Sequence, residues 1–101
     1  ETETDREITI GATTLRCRMD AVFQRLDGSG WLIVDWKTGR RQVPVDQLSV
    51  YVHAWAASQG VPTGSVRAAY VYVDYSGGRV DELTAEGLLS IEQIQAALTV
   101  G

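Results

Sequence analysis

The chain is short of cysteine and of positive charge, and each shortage excludes something. One cysteine, Cys17, among 101 residues rules out an intrachain disulfide framework. It equally rules out any four-cysteine zinc or iron–sulfur site within these residues. No apolar run approaches the roughly 20 residues of a membrane span. No basic stretch leads into an apolar one, so no secretory signal is legible and the expected location is cytoplasmic. Lys and Arg number 9 against 13 Asp and Glu, a net charge of -4. That balance argues against a free-standing nucleic-acid binder, which usually shows a basic excess. It does not argue against an acidic metal site, which brings negative charge of its own. No internal repeat, low-complexity tract or linker interrupts the chain, and its length suits one domain, residues 1–101, with one modest core. It starts at Glu1 without a methionine and reads as a piece of something longer.

The informative stretch is Trp31 to Gly39, WLIVDWKTG. Four apolar residues run into Asp35, with turn residues on both sides, which is the pattern of a buried strand. On a strand, residues i and i+2 share a face, so Asp35 and Lys37 project side by side from the strand end. A carboxylate and an ammonium there are costly to desolvate unless they are paired or bind something.

Before it, residues Glu1 to Arg6 are polar and are expected to fray; Ile8 and Ile10, with Gly11-Ala12, read as a short strand and turn. Leu15 to Leu26 alternates. Leu15, Cys17, Met19, Ala21 and Phe23 fall on one face, and Arg16, Arg18, Asp20, Val22 and Gln24 on the other. Asp27-Gly28-Ser29-Gly30 is a hairpin signal that sets this strand antiparallel to Trp31–Lys37. After a loop carrying Arg40 and Arg41, Pro44 suits a helix start and Gly60 a helix end. Val45, Leu48, Val52 and Trp55 form an apolar stripe between them, with Gln47, Tyr51, Ala54 and Ser58 on a different side. Val66 to Tyr75 reads as another buried strand, Arg79 to Leu83 as an edge strand. Ser90 and Gln93 make a capping box for a last helix facing inward through Ile91, Ile94 and Leu98. The order is β-β-β-α-β-(β)-α.

If the two hairpin strands pair in this way, Asp20, Asp35 and Lys37 converge at one end of the sheet. Two carboxylates with a carbonyl oxygen and waters suit a hard cation such as Mg²⁺. A lysine beside them suits phosphodiester hydrolysis, holding a nucleophilic water or offsetting charge on a phosphate. From spacing alone, Asp35 and Lys37 read equally well as a surface salt bridge at a strand end.

The runs RMDAVF, VDWKTG and QLSVY resemble the RecB-type nuclease domain of the PD-(D/E)XK phosphodiesterase superfamily. Such domains occur in helicase–nucleases of the RecBCD and AddAB kind and as stand-alone exonucleases. The resemblance covers Leu15 to Val73. It implies an α/β restriction-endonuclease-like fold, a mixed central sheet flanked by helices, and an exonuclease acting on DNA in repair and recombination beside a helicase partner. It also implies that Asp20 and Asp35 are metal ligands for Mg²⁺ (or Mn²⁺), together with the backbone carbonyl of Trp36. Lys37 matches the catalytic lysine, positioning or deprotonating the water. Gln47 and Tyr51 match the Q-x-x-x-Y helix motif that lines the site and contacts DNA. The family's first helix, with a further metal ligand, would precede Glu1. A small residue is usual where Cys17 stands.

Around these, Arg40 and Arg41 read either as phosphate contacts or as a solvated loop. Trp36 points away from its two neighbours and is expected in the core, as are Trp31 and Trp55. His53 is expected on the helix surface, and Cys17 as a buried small hydrophobe. Two other readings stay open: a nuclease-like module that binds DNA or assembles without cutting, and an unrelated small α/β binding fold.

Overall fold

The computed structural model describes residues 2–10, 13–38, 46–74 and 77–100. The expected hairpin forms where the sequence places it. Asp27 Oδ1 accepts hydrogen bonds from the Ser29 N–H at 2.9 Å and the Ser29 hydroxyl at 2.6 Å. Gly28 takes φ +76°, a region that favours glycine. The turn joins β2 (Thr13–Gln24) to β3 (Trp31–Thr38). β1 (Thr2–Ile10), β4 (Val66–Asp74) and β5 (Gly77–Glu82) complete a five-stranded sheet in sequence order. Only the β3–β4 pair is parallel. That pair needs a crossover, and helix α1 (Asp46–Gln59) supplies it, followed by a 3-10 turn at Thr63–Ser65. Helix α2 (Ile91–Val100) follows β5. The architecture is the expected mixed-sheet α/β fold.

From Thr2 to Arg6 the expected fraying does not occur; Glu1 lies outside the described residues. β1 pairs with β2 from Thr2–Ala21 to Ile10–Thr13. The Arg6 guanidinium lies 4.7 Å above the Trp55 ring, and its Nε is 3.4 Å from Ser58 Oγ. Ladder bonds and a cation on an aromatic face hold a segment whose composition alone looks unstructured. The Gly11-Ala12 turn lies outside the described residues.

α1 packs on one face of the sheet. Leu48, Val52 and Trp55 are buried as the stripe requires, and Tyr51, Ala54 and Ala56 are buried with them. They meet Ile33, Ala68, Tyr70 and Tyr72. Pro44 and Val45 lie outside the described residues. The helix ends in a double hydrogen bond, Val61 N–H to Ala56 O at 3.0 Å and Gly60 N–H to Ala57 O at 3.3 Å. This Schellman closure needs a left-handed residue, and Gly60 sits at φ +68°. A Cβ there would touch nothing within 4 Å. Gly60→Ala should therefore lose only the backbone preference, about 1–2 kcal/mol of stability in urea unfolding. Unchanged stability would mean that the chain leaves the left-handed conformation at no cost.

The capping box forms reciprocally. Ser90 Oγ accepts from the Gln93 N–H at 3.1 Å, and Gln93 Oε1 from the Ser90 N–H at 2.8 Å. Ile94 is buried and Ile91 half-buried; the Leu98 side chain lies outside the described residues. His53 corrects the surface expectation. It is half-buried, its Nε2 2.7 Å from Leu89 O, while Ser49 Oγ accepts from the Leu89 N–H at 3.0 Å. Both bonds tie α1 to the lead-in of α2.

Two aromatic residues expected inside are outside: Trp36 is 51 % exposed and Phe23 54 %. In the ladder Val22 lies opposite Ile33, a core residue, so Val22 takes the inward side and Phe23 the outer one. Cys17 and Met19 also reach that core. The inward phase of β2 therefore shifts by one residue across Asp20–Ala21. Trp36 alternates with Asp35 and Lys37 and is turned outward by them. Trp55 is buried, and Trp31 packs against it edge-on at 6.5 Å, both as expected.

Candidate active site

The site lies where two neighbouring strands part. β2 and β3 are paired from Gln24–Trp31 to Ala21–Val34, and there the ladder ends. Asp20 and Asp35 are the first residues beyond it. Where strands separate, main-chain donors lose their partners. Here Asp20 Oδ2 accepts the Trp36 N–H at 2.8 Å, so a side chain replaces a ladder bond and pins Asp20 to β3.

Asp35 is buried, and Lys37 stands beside it on the same strand face. Lys37 Nζ is 3.1 Å from Asp35 Oδ2, with 29 % and 9 % of the two side chains exposed. That distance is an ionic contact, yet Asp35 Oδ2 lacks any hydrogen bond of good alignment among the described residues. Burial, and next the adjoining Asp20 carboxyl, push the Asp35 pKa up from 3.8 to about 6; the Lys37 ammonium opposes this without cancelling it. The Asp35 carboxylate therefore stays costly to ionise even beside Lys37, and further positive charge next to it would favour its ionised form.

α1 brings the Q-x-x-x-Y pair to the same place. The Gln47 amide donates to Tyr51 OH at 3.0 Å and accepts from Tyr70 OH at 3.1 Å. Tyr51 is held protonated, first by burial and then by the negative charge of Asp35. Its oxygen accepts from Gln47, leaving its own hydrogen to donate. Tyr70 was not singled out by the sequence. It lies opposite Asp35 in the parallel register, fully buried, with Lys37 Nζ 5.0 Å from its ring centroid. Its signal was the inward alternation Ala68, Tyr70, Tyr72: a buried phenol needs a hydrogen-bond partner, and the helix above had to supply one.

Asp20, Asp35, Lys37, Gln47 and Tyr51 thus gather between the β2–β3 fork and the first turns of α1. Arg40 and Arg41 lie outside the described residues. Cys17 is buried, and burial raises its thiol pKa to about 11, which makes it an inert packing residue. Among the described residues no group of three His, Cys, Asp or Glu side chains surrounds the fork. The donors are the two carboxylates. An all-oxygen set in which buried Asp35 Oδ2 has an ionic contact to Lys37 but no well-aligned hydrogen bond among the described residues fits a hard divalent cation that fills its shell with water and substrate oxygens.

Comparison with known proteins bears on the family and the fold. The model of the PD-(D/E)XK nuclease superfamily matches residues 1–99. The crystal structure of SSO0001 superposes with a TM-score of 0.57 at 17 % identity, over 99 % of this chain and 49 % of that one. At that identity the likeness concerns the fold alone, and the chain spans about half the length of this solved relative. No curated protein matches. Among the described residues no helix is long and apolar enough to cross a membrane. The match over nearly the whole length removes the reading of an unrelated small α/β fold: the chain belongs to the PD-(D/E)XK nuclease superfamily.

Proposed function

We propose that this chain is the catalytic part of a metal-dependent DNA exonuclease of RecB type, working with a helicase domain or subunit in DNA repair and recombination. One observation carries the reading: two carboxylates and an ammonium, from two strands, meet at the single point where those strands part. Asp20 and Asp35 would hold Mg²⁺ or Mn²⁺, with the Trp36 carbonyl as a further oxygen. The bound ion would polarise the scissile phosphate and acidify water. Lys37 offsets charge developing on the phosphate, or orients the attacking water, from beside Asp35. Gln47 and Tyr51, fixed by their mutual hydrogen bond, present donors to the substrate strand. The net charge of -4 means that attraction to DNA must be local to the site.

The test is degradation of end-labelled DNA by the intact protein with Mg²⁺ or Mn²⁺. Loss of label at the end, stopped by chelation and restored by either metal, is the expected result. DNA that is bound but left whole under both metals would point instead to a module that binds or assembles without cutting.

A further inference from the structure

We propose that Arg79 is a backbone-phosphate contact for the substrate strand, extending the site from Lys37 across the sheet to its β5 edge. The inference rests on the nuclease reading above. In the sheet register Lys37 lies opposite Tyr72, and Tyr72 opposite Arg79. Residues directly opposite share a face, so these three form one row on the α1 side. The row below is Asp35, Tyr70 and Asp81. Each cation of the upper row lies against a tyrosine. Lys37 Nζ is 5.0 Å from the Tyr70 centroid and Arg79 Cζ 4.1 Å from that of Tyr72; the two rings meet edge to face at 6.3 Å.

Arg79 is held from two sides among the described residues. The Tyr72 ring lies under its plane, and Asp81 Oδ1 is 3.5 Å from Nε. The Asp81 side chain is 19 % exposed and the Arg79 side chain 48 %. A guanidinium carries five donors in a flat fork that matches phosphate oxygens two at a time. The Arg79–Asp81 contact runs through Nε at 3.5 Å, too long for a tight two-pronged hydrogen bond, and the Arg79 side chain keeps about half of its surface exposed. A purely structural ion pair would close the fork onto the carboxylate at hydrogen-bond distance; here the guanidinium rests on the Tyr72 ring and stays half-exposed. Adjacent strands lie about 4.8 Å apart, which puts Arg79 about 10 Å from Lys37. Successive phosphates of one strand lie further apart through space than the axial rise of a duplex, so that span reaches a phosphate about one or two nucleotides from the bond being cut.

The experiment compares the intact protein with Arg79→Ala and Arg79→Gln on a single-stranded DNA oligonucleotide; the Gln variant keeps a stem over Tyr72 without the charge. Both should bind about three- to tenfold more weakly, with the slope of log affinity against log salt reduced by about 0.7. KM should rise more than kcat falls. A neutral methylphosphonate one or two nucleotides from the cleaved bond should weaken binding to the unmodified protein by the same factor. It should add nothing to the loss in Arg79→Gln, since both remove one contact. Arg67→Ala removes a cation from the opposite face, where Arg67 pairs with Glu82, and should leave binding and slope as they were. If both Arg79 variants bind with unreduced affinity and slope while Lys37→Ala still stops cleavage, the Arg79 contact is wrong and the nuclease stands. If the unmodified protein neither binds nor cuts DNA with Mg²⁺ or Mn²⁺, both fall together.

Discussion

Replacing Lys37 with alanine should slow cleavage by about a thousandfold or more while DNA binding survives. Lys37 is the cation at the buried carboxylate, 3.1 Å from Asp35 Oδ2, and the Tyr70 ring backs it from the other side. A group held between an anion and a ring face is preset in position, so no reorganisation is needed when charge develops on a phosphate beside it. The groups proposed to bind the strand, the Gln47–Tyr51 pair on α1 and Arg79 on β5, are untouched by the change. Lys37→Arg is a sharper comparison, because it keeps the charge but replaces a compact ammonium by a broad planar fork. Single-turnover cleavage with Mg²⁺, read beside an independent binding curve, separates the two steps. Cleavage by Lys37→Ala within tenfold of the unmodified protein would remove Lys37 from the chemistry.

The parts of this fold that were legible in the sequence are those specified within one element. The run into Asp35 needs only an apolar strand with turns at its ends. The Asp27–Gly30 hairpin, the Gly60 closure and the Ser90–Gln93 cap each depend on residues a few positions apart, and each forms as read. The same holds for the site: Asp35 with Lys37 lie two apart on a strand, and Gln47 with Tyr51 four apart on a helix. What stayed hidden depends on register between elements. The phase shift of β2 at Asp20–Ala21 cannot be seen from β2, since strict alternation fits its residues equally well. It follows from where β3 stops pairing. Tyr70 reaches the site only because the parallel register sets it opposite Asp35, and the sequence of β4 does not fix that offset. Trp36 reads as core by residue type, yet its two neighbours claim the inner face and turn it outward. His53 is recruited by a backbone carbonyl 36 residues away.

Asp35→Asn should make the metal-free protein more stable at neutral pH while ending its activity. The Asp35 pKa stands at about 6, above its ordinary 3.8, because burial and the neighbouring Asp20 carboxyl outweigh Lys37. The folded chain therefore holds this proton more tightly than the unfolded chain does. Its contribution to stability is complete below pH 3.8 and declines as pH rises to about 6. Above that it is lost, and the ionised side chain costs the fold at most about 3 kcal/mol. An amide of the same shape carries no such cost. In chelator at pH 8, Asp35→Asn should unfold at higher temperature, by roughly 4–8 °C for each kcal/mol recovered. It should also lose the decline between pH 4 and 6. Adding Mg²⁺ or Mn²⁺ should reverse the order, because a ligand of the folded state stabilises only the protein that can bind it. Cleavage by the variant should fall about a thousandfold. A metal-free Asp35→Asn protein that is less stable than the unmodified one at pH 8 would show that the Lys37 ion pair outweighs burial. The carboxylate would then be a structural anchor of the fold.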